Sequence, residues 1–193
     1  MIGDLPSALD FGGKSWAIRT DYRDVLNVLV AFGDPELDDR EKVYVCLVAL
    51  YKDFNDIPSE LYEDAYKAAL VFIDCKRPWE DEAPQNVPSP RSMDWEQDET
   101  LIFSAINRVA GCEVRALEYL HWWTFMGYYM EMPPEGVFGQ VLQLRKKKAK
   151  GQKFDKHEQE FWNHNRDICI LRKKLTAAQR EAEKKLNAML NGG

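Results

Sequence analysis

Residues 20–32, TDYRDVLNVLVAF, place Tyr22, Val25, Leu26, Leu29, Val30 and Phe32 at steps of three and four. That spacing gathers them on one side of a helix with 3.6 residues per turn. The pattern recurs along the chain, each time between a capping residue and a breaker, and it limits the possible folds more than any other feature. Thr20 or Asp21 caps the first helix, and Gly33 with Pro35 ends it. In DDREKVYVCLVALYKDF, Asp38 and Glu41 have the spacing of a capping box, and Val43, Cys46, Leu47 and Leu50 form the apolar stripe. In IPSELYEDAYKAALVFID, Ser59 is the expected cap, and Leu61, Ala65, Ala68, Ala69 and Phe72 share a face. Short turns between three such helices favour antiparallel neighbours in a bundle.

The composition then changes. Residues 76–92 contain Pro78, Pro84, Pro88 and Pro90. Proline fixes φ, lacks an N–H and disfavours helix at the residue before it, so this stretch reads as an extended or mobile loop. Helical spacing resumes after Asp94, which with Gln97 forms a second capping-box pattern ahead of ETLIFSAINRVAG and its stop at Gly111. EVRALEYLHWWTFMGYYMEM reads as one helix ending at Pro133-Pro134. VFGQVLQLRKKKAKG is a helix with a basic end, where lysines suit the negative helix C-terminus. FDKHEQEFWNHNRD follows, with Asp155 and Glu158 as its box. The last helix, LTAAQREAEKKLNAML, is polar with a thin stripe of Leu175, Ala178, Ala182, Leu186 and Met189. Such a stripe docks on a partner or on another copy of the chain, or else the helix simply frays. No Asn-Gly hairpin signal and no fixed repeat is visible. The expectation is an all-α fold: one helical domain over residues 1–193 with seven or eight helices, a Pro-rich loop at 76–92, and a basic, polar C-terminal helix within 172–193 that can protrude.

Charge divides the chain. From Arg145 onward there are fourteen Lys/Arg against six Asp/Glu, a net of +8, which leaves −14 on residues 1–144 given −6 overall. An acidic body with a basic tail points to a polar partner surface or to self-association between the two regions. Cys46, Cys75, Cys112 and Cys169 form no C-x-x-C pair, the start MIGDLPSALD has no leader pattern, and no apolar run is long enough to span a membrane. Reduced thiols in a cytoplasmic, soluble protein are expected.

The candidates for chemistry are weak. GGKS at 12–15 lacks the earlier glycine of a phosphate-binding loop, since Ala8 stands there. Glu118 and His121 have the Glu-x-x-His spacing of a di-metal bundle, but Glu160 is followed three residues later by Asn163, so the second pair is missing. Glu118 and His121 are then polar positions satisfied by neighbours. No nucleophile elbow occurs, and Cys46 and Cys112 lie in apolar patterns. The residues therefore imply no enzyme and no metal or other cofactor. The cations Arg145, Lys146, Lys147, Lys148 and Lys150 form the densest charge cluster, within the basic segment 145–153. Plain solvation of a helix end ranks first for them, an acidic protein partner second, nucleic acid third. In the aromatic run YLHWWTFMGYY, taken as a helix apolar all round, Trp122 and Trp123 are the candidate partner contacts if either reaches the surface, and Gly127 is the expected point of close backbone approach.

Four stretches, TDYRDVLNVLVAFGDPELDDREK, LIFSAINRVAG, YLHWWTFMGYYMEM and VLQLRKKKAKGQK, together resemble a family of small proteins from long-tailed bacteriophages and prophages of Gram-positive bacteria, over roughly residues 10–170. That family is thought to comprise tail assembly chaperones or closely related tail assembly proteins, encoded between the major tail protein and the tape measure protein. The resemblance implies a non-enzymatic role: binding the tape measure protein, the major tail tube protein or both, in the host bacterial cytoplasm, with absence from the mature virion. It brings no catalytic residues. A homo-oligomer remains open, as does the alternative of a helical nucleic-acid-binding or other interaction module built on segment 145–153.

Overall fold

The computed structural model describes residues 3–76 and 91–191. Most of the Pro-rich segment expected at 76–92 lies outside the described residues. The chain begins with a two-stranded antiparallel hairpin, β1 (Ala8–Phe11) and β2 (Lys14–Ala17), with Phe11 opposite Lys14. The all-α expectation is corrected here: the described residues are mostly helical but carry this small sheet. Gly12 and Gly13 form its two-residue turn, both with positive φ, 58° and 75°. A tight hairpin needs that left-handed pair, and Gly-Gly supplies it without steric cost. The letters GGKS are thus a hairpin turn, and Lys14 lies over the Trp16 ring at 3.9 Å.

Nine α-helices follow among the described residues, where seven or eight were expected: α1 (Tyr22–Phe32), α2 (Asp39–Leu50), α3 (Tyr62–Ile73), α4 (Glu99–Ala110), α5 (Trp122–Met130), α6 (Val137–Ala149), α7 (Lys156–His164), α8 (Arg166–Cys169) and α9 (Ala177–Asn191). Asp21 caps α1 by accepting from the Arg23 N–H. Both sides of the Asp38–Glu41 and Asp155–Glu158 boxes form, as read from the sequence. Ser59 does not cap α3; it starts a single 3-10 turn, Ser59–Leu61, and α3 begins after it. Asp94 does accept from the Glu96 and Gln97 N–H groups, but what it opens is a turn, and α4 starts only at Glu99.

The largest correction concerns residues 113–132. A 3-10 turn, Val114–Ala116, is followed by extended chain, and α5 begins only at Trp122. The extended stretch pairs with the chain leading into α1. The Tyr22 N–H donates to Leu120 O, the Trp122 N–H to Thr20 O, and the Leu120 N–H to the Asp21 carboxylate. Asp21 and His121, the two N-caps, face each other across an isolated bridge. Helices α1 and α5 thus start side by side, and Tyr22 stacks on Phe125 with centroids 4.6 Å apart. Backbone hydrogen bonds between distant segments override the local helical pattern.

The main core gathers Trp16, Ile18, Tyr22, Val25, Leu47, Tyr51, Phe72, Ile106, Trp122 and Phe125 among its buried side chains. A smaller cluster of Val141, Leu144, Trp162 and Cys169 holds α6, α7 and α8 together. Gly127 is not a close-approach point: a Cβ there would meet nothing within 4 Å. Gly139 is, since its Cβ would lie 2.4 Å from Pro134 O. Gly127→Ala should therefore raise stability by up to about 1 kcal/mol through helix propensity, while Gly139→Ala should lower it. Thermal melts of the two variants would show opposite shifts, and a destabilised Gly127→Ala protein would contradict the open environment.

Candidate protein-interaction site

The cations singled out in the sequence do not act as one exposed cluster. Arg145 is 7 % exposed. Its guanidinium donates to both oxygens of Asp98 at 2.7 and 2.8 Å, and further to the carbonyls of Cys169, Ser92 and Ile168. Planar Arg meets a carboxylate in a two-point fork, and its remaining N–H groups must find acceptors when buried. The three carbonyls provide them. Lys147 pairs with Glu158, and Lys148 lies over the Trp162 ring at 4.2 Å. Lys146 and Lys150 are exposed and, among the described residues, carry no ion pair. Helical geometry sorts the run, because consecutive residues point in different directions around α6.

Trp122 is buried and its indole N–H donates to Ile73 O at 2.9 Å. Trp123 is half-buried and donates to Phe72 O at 2.9 Å. These two carbonyls end α3, where helical acceptors lack partners. Cys75, with φ of 56°, completes the end in a Schellman arrangement: Lys76 N–H donates to Val71 O and Cys75 N–H to Phe72 O. Both tryptophans thus spend their polar atoms inside the molecule. His121 accepts from the Trp123 N–H at Nδ1, which places its proton on Nε2, facing Pro6 O at 3.0 Å. Glu118 sits in the extended stretch, so the Glu-x-x-His spacing falls on no helix. Among the described residues no group of three His, Cys, Asp or Glu side chains is placed to hold a metal ion, and no helix is long and apolar enough to cross a membrane.

An apolar opening lies elsewhere, on α2. A groove of about 800 Å³ is lined by Leu37, Val43, Tyr44, Val45, Leu47 and Tyr62, together with Asp39, Arg40 and Glu41. Tyr44 is 57 % exposed. Its ring meets Phe54 edge-on at 5.5 Å, and Phe54 in turn meets Tyr62 at 5.4 Å. The segment that supplies these residues, 34–64, holds ten Asp/Glu against three Lys/Arg, a net of −7. Sequence reasoning missed the groove. Its signal was present: in VYVCLVAL every residue is apolar, so no single face of α2 is polar enough to be the solvent side.

The four cysteines are free thiols. Burial pushes Cys46 up to about 12 and, with help from the Asp74 charge, Cys75 up to about 11. Cys112 is exposed.

The geometry describes a helical protein whose open surface is an apolar groove in an acidic setting. It is a bacteriophage protein. A family model described as Bacteriophage Gp15 protein matches residues 1–171, and the chain belongs to that family. No curated protein and no solved structure matches it. Membership points to a structural or morphogenetic role in a phage.

Two outcomes follow from the buried groups. Arg145→Met should cost about 3 to 5 kcal/mol because Asp98 is left charged and unpaired, and adding Asp98→Leu should recover part of that loss. Lys146→Met should stay within about 0.5 kcal/mol. Denaturant melts of these variants provide the comparison. In thiol labelling of the folded protein, Cys112 should react first and Cys46 only on unfolding, since the thiolate is the reactive form.

Proposed function

We propose that the chain is a tail assembly chaperone, acting in the host cytoplasm during phage tail morphogenesis and absent from the finished virion. Its partner is the tape measure protein, with tail tube subunits as a second client. The observation that carries the reading is the α2 groove: an uncovered apolar trough in a segment of net −7. Such a surface suits an amphipathic helix, whose apolar stripe enters the trough while flanking cations meet the carboxylates. A long helical client offers many stripes of that kind. Family membership and the resemblance in the four quoted stretches support the same assignment.

The alternative, nucleic-acid binding through 145–153, has less to stand on. Arg145 is committed to Asp98, Lys147 to Glu158 and Lys148 to the Trp162 ring. Co-expression with the tape measure protein should raise that protein's soluble yield and give a co-purifying complex. Tyr44→Glu should weaken the complex about tenfold or more, as loss of an aromatic anchor does. Lys146→Gln with Lys150→Gln should leave it intact. A folded protein that captures no tape measure protein would remove the reading.

A further inference from the structure

Among the described residues, helix α9 is exposed along its length. Its start is well held. The Gln179 N–H donates to Thr176 Oγ1, the Thr176 N–H donates back to Gln179 Oε1, and Glu36 accepts from the Ala177 N–H and faces Arg180. The segment before it is stapled to the body as well: Gln97 exchanges two hydrogen bonds with the Arg172 backbone, and Lys174 pairs with Asp94 and Glu96. Beyond this anchor every side chain described is exposed, with Leu186 at 56 % and Met189 at 77 %. A fifteen-residue helix is marginal in water without packing. Its apolar stripe calls for a cover.

We propose that this cover is the α2 groove of a second copy of the chain, and that two copies exchange their α9 helices in a twofold dimer. Charge matches the two surfaces. Residues 172–189 carry six Lys/Arg against two Asp/Glu, a net of +4, and the groove segment 34–64 carries −7. Length matches too: α9 spans about 22 Å and α2 about 18 Å at 1.5 Å per residue. The anchor decides between copies. Glu36 holds the base of α9 and is the chain neighbour of Leu37, which lines the groove. Held there as a continuous helix with solvent along its length, it does not cover its own groove. A twofold axis places each α9 over the other copy's groove, an isologous contact with two identical halves. The exchanged helix and a client would share this groove, so the dimer is the resting form that a client displaces; the sedimentation test uses no phage partner, so its failure leaves the chaperone reading standing.

Sedimentation of the purified full chain at rising concentration tests it. The expected result is a monomer–dimer equilibrium that weakens with salt. Leu186→Glu with Met189→Glu, at exposed positions, should raise the dimer dissociation constant about tenfold or more, and so should Tyr44→Glu. Circular dichroism would establish that each variant stays folded; the α9 variant alone keeps the test valid if Tyr44→Glu misfolds. Mixing the two variants should restore a dimer through the intact α9 of one and the intact groove of the other. A monomer at every concentration, a dimer indifferent to the α9 variant, or folded variants that do not complement each other would overturn the proposal.

Discussion

The ion pair between Arg145 and Asp98 joins three parts of the chain that local sequence leaves apart. Asp98 caps the turn before α4, accepting from the Asp94 N–H, and so fixes the direction in which the chain re-enters after residue 91. Arg145 comes from the middle of α6, and the carbonyls it bonds belong to α8 and to Ser92. Withdrawing two charges from water costs several kcal/mol for each ion, which only a complete set of partners offsets. The set here is complete: two carboxylate oxygens and three carbonyls. The small Trp162 cluster could slide as apolar contacts alone, since apolar contact is non-directional. The guanidinium fork supplies the direction. The stapled segment 170–174, and hence the base of α9, follows from it.

How much of this the sequence shows depends on whether the cause is local. Asp38 with Glu41 and Asp155 with Glu158 satisfy their own helix starts, so spacing alone revealed them. Gly12-Gly13 has a local cause as well, since the pair is a favoured hairpin turn, although the same letters also suit the start of a phosphate loop. Residues 117–121 were not legible. They carry no breaker, and they are extended only because the backbone near Asp21 offers partners. Arg145 shows the same limit. Within RKKK nothing marks one cation as buried; its partner lies forty-seven residues away. The α2 groove could have been read from an apolar run without a polar side. The two tryptophans answer the question raised by the aromatic run: their rings fill the core or its edge, and their N–H groups end α3.

The division of charge gains a place in space. The acidic surplus of residues 34–64 belongs to the segment that supplies the groove, while the basic surplus after residue 172 lies on α9 and the segment that anchors it. Between them, the run at 145–150 loses much of its apparent strength to internal partners. A count of cations along a chain overstates what solvent or a partner meets, because each buried fork or ring contact removes one from the tally.

The ends that border residues 77–90 are both fastened. On one side, Lys76 and Cys75 close α3 in a Schellman turn while two indoles hold its last carbonyls. On the other, Arg91 bonds Asp94 and Met93 O, and Ser92 O receives Arg145. Each of these contacts is made between described residues. Closing a longer connection costs little more than closing a short one, because the entropy grows only with the logarithm of length. The helices on each side thus carry restraints of their own, set by contacts that do not depend on the length of the chain joining them.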